Sequence, residues 1–463
     1  MASAIGSISG QGLRRPRAVG ILAAAFVVAG ASYLFAGSRP AGAPAPATDR
    51  AGDRTTIAAP AGAPAQVATI SLEQIDRSIA AWSSNLRSEP RDFLSATNLA
   101  SLYHGRGQLT GSIDDHDRAL QAAATALDAA PTYAPARALD AAIRYTLHDF
   151  AGALASAEAL YTEDPTQLGA LATKADAELE LGRVEAAQRD LRLLATQAAG
   201  PAVDVRLARL AFVTGEHEES VRLANRARAA AMTEAAAGGS IDPAFYAFAA
   251  GEYARLVGDA TAAREGYEAA LAIRPTDLGA LLGLARIDAH EGNLAAAIDG
   301  LRTATAIAPQ PETVALLGDL LEATGDRTGA AEAFETVRFI AQLGALQGVV
   351  YDRQLVRFEL DHDGATTAVL DAARASAVAR PDSAGHDLLA WALYRLGRFD
   401  EAATELGLAK TDGANDARLR FHEGAIALAR GDVAGGRAML QSALADGPAL
   451  DPTERAEALE LMP

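Results

Sequence analysis

The feature of this chain that most constrains its fold is the spacing of its turn-forming glycines. Beyond residue 90, Gly182, Gly215, Gly258, Gly292, Gly325, Gly397 and Gly431 stand 33, 43, 34, 33, 72 and 34 residues apart. The 72 divides into 38 and 34 if Asp363, in the run Asp361-His362-Asp363-Gly364, marks a further turn. An interval of this size holds two short helices and their connections, and its recurrence marks a stacked repeat array instead of one core. Composition agrees: at 463 residues the chain is too long for a single ordinary core, while 50% hydrophobic content excludes wholesale disorder. Aromatic residues make up only 5% and alanine is abundant, which suits closely packed helices better than sheets.

Small and large residues keep register around the turns. Gly251 and Ala254 precede Gly258, and Ala263, Tyr267, Ala270 and Pro275 follow it. The next interval has Leu284 and Ala285, Gly292, then Ala297, Leu301, Ala304 and Pro309; another has Leu317 and Gly318, Gly325, then Ala330, Phe334 and Val337. Late intervals give Ala390, Gly397, Ala402, Leu406 and Ala409, then Gly424, Gly431, Leu440, Ala443 and Pro448. A small residue lets two backbones approach, a large one fills the space beside it, and proline ends the second helix. With the turn Leu396-Gly397-Arg398-Phe399-Asp400-Glu401-Ala402-Ala403, this pattern resembles the tetratricopeptide repeat. The resemblance implies an all-α fold, a right-handed superhelical solenoid of antiparallel helix pairs, and a role in binding a protein or peptide.

Counted through the chain, the pattern gives ten units from about residue 91 to 448, among them a degenerate unit over Arg91 to Pro131 and one at His148 to Pro165. Leu450 to Leu461 follow as a capping helix. Two irregularities are candidate joints. One is the alanine-rich stretch from Ala227 to Pro243, ending in Gly238-Gly239-Ser240 before an Asp242-Pro243 helix start; the other is the extended connection between Phe339 and Tyr351. The chain is accordingly read as a basic tail over 1–17, a membrane span over 18–38, a linker over 39–69, a degenerate array over 70–240 and a second array with its cap over 241–463.

The span rests on an uncharged run of 21 residues from Ala18 to Ser38, preceded by Arg14, Arg15 and Arg17. At about 1.5 Å per residue it reaches roughly 30 Å, the thickness of a bilayer core. A cleaved signal peptide is the alternative, since Ala29-Gly30-Ala31 and Ala41-Gly42-Ala43 resemble small-residue cleavage sites. The crowded N-terminal arginines favour a cytoplasmic N-terminus, which places the array outside the cytoplasm. Pro, Ala and Gly dominate the following stretch, the composition of a semi-stiff tether.

Charge and motifs narrow the function. The formal charge is 41 − 59 = −18; residues 1–65 hold six arginines and two aspartates, or +4, which leaves −22 on the rest. An acidic body of this kind repels nucleic acid. There is no cysteine, so disulfides, thiolate metal sites and cysteine nucleophiles are excluded. No nucleophile elbow, phosphate-cradling loop, zinc-protease helix motif or calcium loop is present; Asp361, Asp363 and Gly364 lack the closing glutamate of the last. The His-Glu-Gly triplets at His290 and His422 fall at different places in their units and read as solvated residues. We therefore expect no catalytic residue, no metal and no cofactor.

The resemblance places residues two, five, nine and twelve of each unit on the concave face. Counted from the turns, these are Phe245, Phe248, Glu252 and Arg255; Arg286; Asp319; Arg353 and Arg357; Trp391 and Tyr394; and Phe421. Aromatic and arginine side chains dominate many interfaces, so a partner groove is expected in the C-terminal third. Gly251, Gly318 and Gly424 are followed by Glu252, Asp319 and Ala425, and lysine occurs only at Lys174 and Lys410. This departs from the lysine and asparagine clamp with which some members of the family hold a chaperone's C-terminal carboxylate.

Overall fold

The computed structural model describes residues 72–110, 112–239, 241–346, 352–362 and 364–462. The expected tail 1–17, span 18–38 and linker 39–69 lie outside the described residues, as does the turn expected at Asp363. No described helix is long and apolar enough to cross a membrane.

Among the described residues the fold is all-helical, with 22 α-helices and no strand. After α1 (Leu72–Ser88) come α2 (Phe93–Thr110), α3 (Ile113–Ala129), α4 (Ala134–Thr146), α5 (Phe150–Glu163), α6 (Leu168–Glu180), α7 (Val184–Gln197) and α8 (Pro201–Val213). Then follow α9 (His217–Ala236), α10 (Pro243–Leu256), α11 (Ala260–Ile273), α12 (Leu278–His290), α13 (Leu294–Ile307), α14 (Pro311–Ala323) and α15 (Arg327–Leu346). The array continues with α16 (Asp352–Asp361), α17 (Thr367–Ala379), α18 (Ser383–Arg395), α19 (Phe399–Ala409), α20 (Ala417–Ala429), α21 (Val433–Ala445) and α22 (Pro452–Glu460). From α2 to α21 these form ten consecutive helix pairs, each packed on the next as a solenoid.

The spacing glycines do what their sequence positions imply. All seven adopt positive φ, from 68° at Gly182 to 91° at Gly431, the conformation that closes a helix without a Cβ penalty. His148 takes the same place between α4 and α5 at φ 61°, so that turn carries strain which a glycine would relieve. Aspartates start many of the helices: Asp149, Asp259, Asp277, Asp382, Asp416 and Asp432 accept from backbone N–H groups of the following turn. Such a cap stabilises by about 1 kcal/mol.

Small against large is the packing rule within pairs. Gly251 and Gly266 bring α10 and α11 together beside the fully buried Tyr267, and a Cβ on Gly424 would stand 2.8 Å from Leu440. At the first expected joint α9 simply runs on to Ala236, and Asp242 accepts from the Ala244 N–H to start α10. At the second, α15 runs past Phe339 to Leu346.

Candidate functional site

The first helices of successive pairs neighbour one another, and their charged side chains meet on that face. On α6, Glu180 accepts from Arg209 at 2.6 Å and from the Tyr145 hydroxyl at 3.3 Å, and also pairs with Arg380. Arg206 Nε donates to Asp176 at 2.9 Å. Arg380 follows Glu180 by 200 residues, just after α17 in the eighth pair, so this contact closes the solenoid onto itself.

Three successive turns take part in that closure. A Cβ added to Gly182 would overlap the Pro381 carbonyl, one on Gly215 would overlap that of Gly413, and one on Gly258 would stand 2.9 Å from Asp446. The turns within the third, fourth and fifth pairs thus rest on the loops after α17, α19 and α21. The close approach is measurable. Gly292 has the same positive φ and nothing within 4 Å of an added Cβ. Left-handed backbone costs an alanine about 1–2 kcal/mol, so Gly292→Ala loses that amount, whereas Gly182→Ala loses more because the seam must also move. Equal chemical-denaturation midpoints for the two variants would contradict this contact.

The residues expected to line a groove are buried or half-buried and mostly engaged with other side chains. Glu252 and Arg255 pair with each other at 2.5 Å, Tyr267 donates to Glu252, and Arg255 reaches the Pro448 carbonyl at 3.0 Å. Arg286 bridges Glu312 at 2.6 Å and Asp451 at 2.7 Å. Asp319 pairs with His362 at 2.8 Å, and Arg353 holds Asp382 at 2.6 Å and the Arg380 carbonyl at 2.8 Å. Trp391, 2% exposed, stacks on Tyr394 and on His422, with Phe421 beside it and Nε1 directed at Asp361 at 3.4 Å. Phe245 and Phe248 are half-buried against Tyr246 and Tyr267. In place of an open lining at Glu252, Arg255, Arg286, Trp391 and Phe421, the structure encloses these side chains: the segment after α21 covers Arg255 and Arg286, Tyr267 covers Glu252, and Trp391 and Phe421 bury each other with His422.

His422 corrects its reading as a solvated residue. It is 3% exposed, 2.7 Å from Asp387 and stacked on Trp391 at 4.1 Å. His290 is half-buried beside Gly447. Trp391→Phe removes the indole N–H and part of two stacks, so stability falls by about 1–2 kcal/mol, read from the denaturant midpoint. An unchanged midpoint would refute the buried role.

A cavity of about 70 Å³ remains on this face, walled by Arg286, Arg357, Asp319, Asp361, Asp451 and Glu454 among others. Burial, reinforced by Glu454, pushes the Asp361 carboxyl up to about 6 against the pull of Arg357 and His422. Burial also raises Asp319, over the opposing hydrogen bond from His362. No group of three or more His, Asp or Glu among the described residues is placed to hold a metal ion. Sequence reasoning missed Glu180, Arg209 and Arg380, which lie up to 200 residues apart; Asp451 was visible as a cap, since Asp-Pro-Thr-Glu is a helix-start signal.

The sequence model of the tetratricopeptide-repeat family matches residues 254–320, within the α10 to α14 stretch. No curated protein matches the chain. Among solved structures, a tetratricopeptide repeat protein from Parabacteroides merdae is 15% identical, with a TM-score of 0.40 over 51% of this chain and 87% of its own. The Cut9–Hcn1 hetero-tetramer of the APC/C is 15% identical, with a TM-score of 0.31 over 84% of this chain and 94% of its own. Yeast Tom70 is 13% identical, with a TM-score of 0.32 over 84% of this chain and 91% of its own. The fold assignment rests on the helix pairs and their turns described above, and the family model matches the stretch 254–320 alone.

Proposed function

We propose that this chain is a noncatalytic tetratricopeptide-repeat scaffold of the cell envelope that binds a protein partner. Residues 18–38 tether it to the membrane, residues 39–69 hold the array away from the bilayer, and the array lies outside the cytoplasm. The observation that carries the noncatalytic part is how the inner charges are used. Glu180, Glu252, Arg286, Asp319 and Arg353 each engage a group on another element, Glu252 through the Tyr267 hydroxyl of α11, so they brace the solenoid. The stacked helix pairs present a long surface of the kind repeat proteins use for recognition.

Crosslinked capture from native membranes, with the full chain as bait, tests the reading. Recovery of a specific protein supports it, and no enrichment over an untagged control rejects it. Protease added to intact spheroplasts should digest the array if it is extracytoplasmic; an untouched array rejects that placement. Mass spectrometry of the mature N-terminus separates a retained anchor from a signal cleaved after Ala31 or Ala43.

A further inference from the structure

The inner face is filled by a segment of the chain itself. Between α21 and α22, Asp446 lies on the Gly258 turn and Gly447 meets the His290 ring. Arg255 donates to the carbonyls of Pro448 at 3.0 Å and Ala449 at 3.4 Å. Asp451 then presents its carboxylate to Arg286 Nε at 2.7 Å and Arg418 Nη2 at 3.4 Å. Burial would raise this carboxyl, but Arg286, Arg418 and Arg255 together hold it well below the usual carboxylate range. Two guanidinium groups, from α12 and α20, thus bond one carboxylate, and a third, from α10, takes the backbone carbonyls upstream of it.

We propose that residues 446–454 are an intramolecular ligand, and that the protein partner enters this arginine site with an acidic segment in exchange for them. This deepens the protein-binding reading and rests on it. Two features make the segment exchangeable. The helix it leads into, α22, has nine residues, too few to persist without tertiary support. Its apolar anchors are small or partly exposed: Pro448, Ala449, Leu450 and Ala458 are buried, and the partly buried Leu461 and Met462 pack against the C-terminal core cluster. Chemistry selects the incoming group: when the segment leaves, Arg286 and Arg418 lose Asp451 and Arg418 loses Glu454 as well, and arginine forks match carboxylates. The own segment sets the affinity threshold, since a partner must bind the opened state better than the closed one.

The test uses a labelled synthetic peptide of residues 446–462 and the chain ending at Ala445. The peptide should bind this shortened chain, should bind at least tenfold more weakly when it carries Asp451→Asn, and should not bind the full chain, whose site is taken. Equal binding of both peptides, or no binding by a shortened chain that retains its circular dichroism, overturns the proposal. If the shortened chain fails to fold, the full chain with Asp451→Asn decides: backbone amides over 447–461 should exchange at least tenfold faster, with residues 72–170 unchanged, and wild-type exchange rates overturn it. Both readouts need no outside protein, so a failed membrane capture and a failed peptide exchange are separate results.

Discussion

Replacing Glu180 by alanine is expected to cost about 3–5 kcal/mol of stability, the range for removing one member of a buried ion pair. The effect is large because of what remains. Glu180 is 3% exposed, and its removal leaves Arg209 without its carboxylate, Tyr145 without the acceptor of its hydroxyl, and Arg380 without its partner across the seam. Burial pushes the Glu180 carboxyl up, yet Arg209, Arg380 and Arg353 outweigh burial and hold it below its usual value. The ionised form is therefore the one the fold binds. Its stabilisation is present above the ordinary glutamate pKa and is lost as pH falls through the lowered one.

The same substitution should change shape. Arg380 to Glu180 is one of the few side-chain ties between the middle of the array and its C-terminal third, alongside Arg255 to Pro448 and Arg286 to Asp451. Small-angle scattering of Glu180→Ala should show a larger radius of gyration than wild type, and a Glu180→Ala, Asp451→Ala double variant a larger one still. A drop in stability with an unchanged radius would mean that Glu180 acts only among the second, third and fourth pairs.

How far the sequence reached depends on the range of each interaction. Turns are local: Gly182 to Gly431 needed only their own backbone conformation, and every one is a left-handed turn. Packing within a pair is nearly local, so Gly318 against Phe334 and Gly424 against Leu440 could be read from small and large residues about 16 positions apart. What Arg255, Arg286, Arg353 and Trp391 would meet was not readable, because their partners come from other helix pairs or from the segment after α21. The meeting of Gly182 with Pro381 depends on the summed rotation of six helix pairs, and no residue near either position encodes it. The interior was thus foreseen as a surface and found as a junction.

Histidine shows a second limit. His104 on α2 and His116 on α3 belong to no sequence motif, yet both are buried with ring centroids 5.3 Å apart. Helix α2 runs to 18 residues and carries His104 opposite His116, and Gly107 gives the His116 ring its space: an added Cβ there would stand 2.8 Å from Cε1. The signal was a small residue facing a ring, hidden because this unit does not keep the common spacing.

Lowering the pH from 7.5 to 5 is expected to remove about 4 kcal/mol from the α2–α3 pair through these two rings. Burial, and the neighbouring His116, bring the His104 pKa down to about 3; burial brings His116 down to about 4 despite the opposing charge of Asp115. The Gln108 amide nitrogen lies 3.2 Å from His104 Nε2, which accepts only in the unprotonated ring. Unfolded histidine titrates near 6.5. Because the folded values are depressed, the stabilisation is complete above 6.5 and is lost as pH falls towards 4 and then 3. Each ring contributes about 1.4 kcal/mol per pH unit within that window, so 1.5 units below 6.5 give roughly 2 kcal/mol from each. Repeat arrays open unit by unit, and the loss should therefore appear as faster hydrogen exchange over residues 93–129 at pH 5, ahead of the middle pairs. Carboxylates elsewhere titrate in the same range, Asp361 near 6 among them, so the decisive quantity is the difference between wild type and a His104→Leu, His116→Phe variant. That variant should lose most of the pH dependence in this segment. If its exchange accelerates on acidification as much as wild type does, protonation of the buried pair is not what loosens the first repeat.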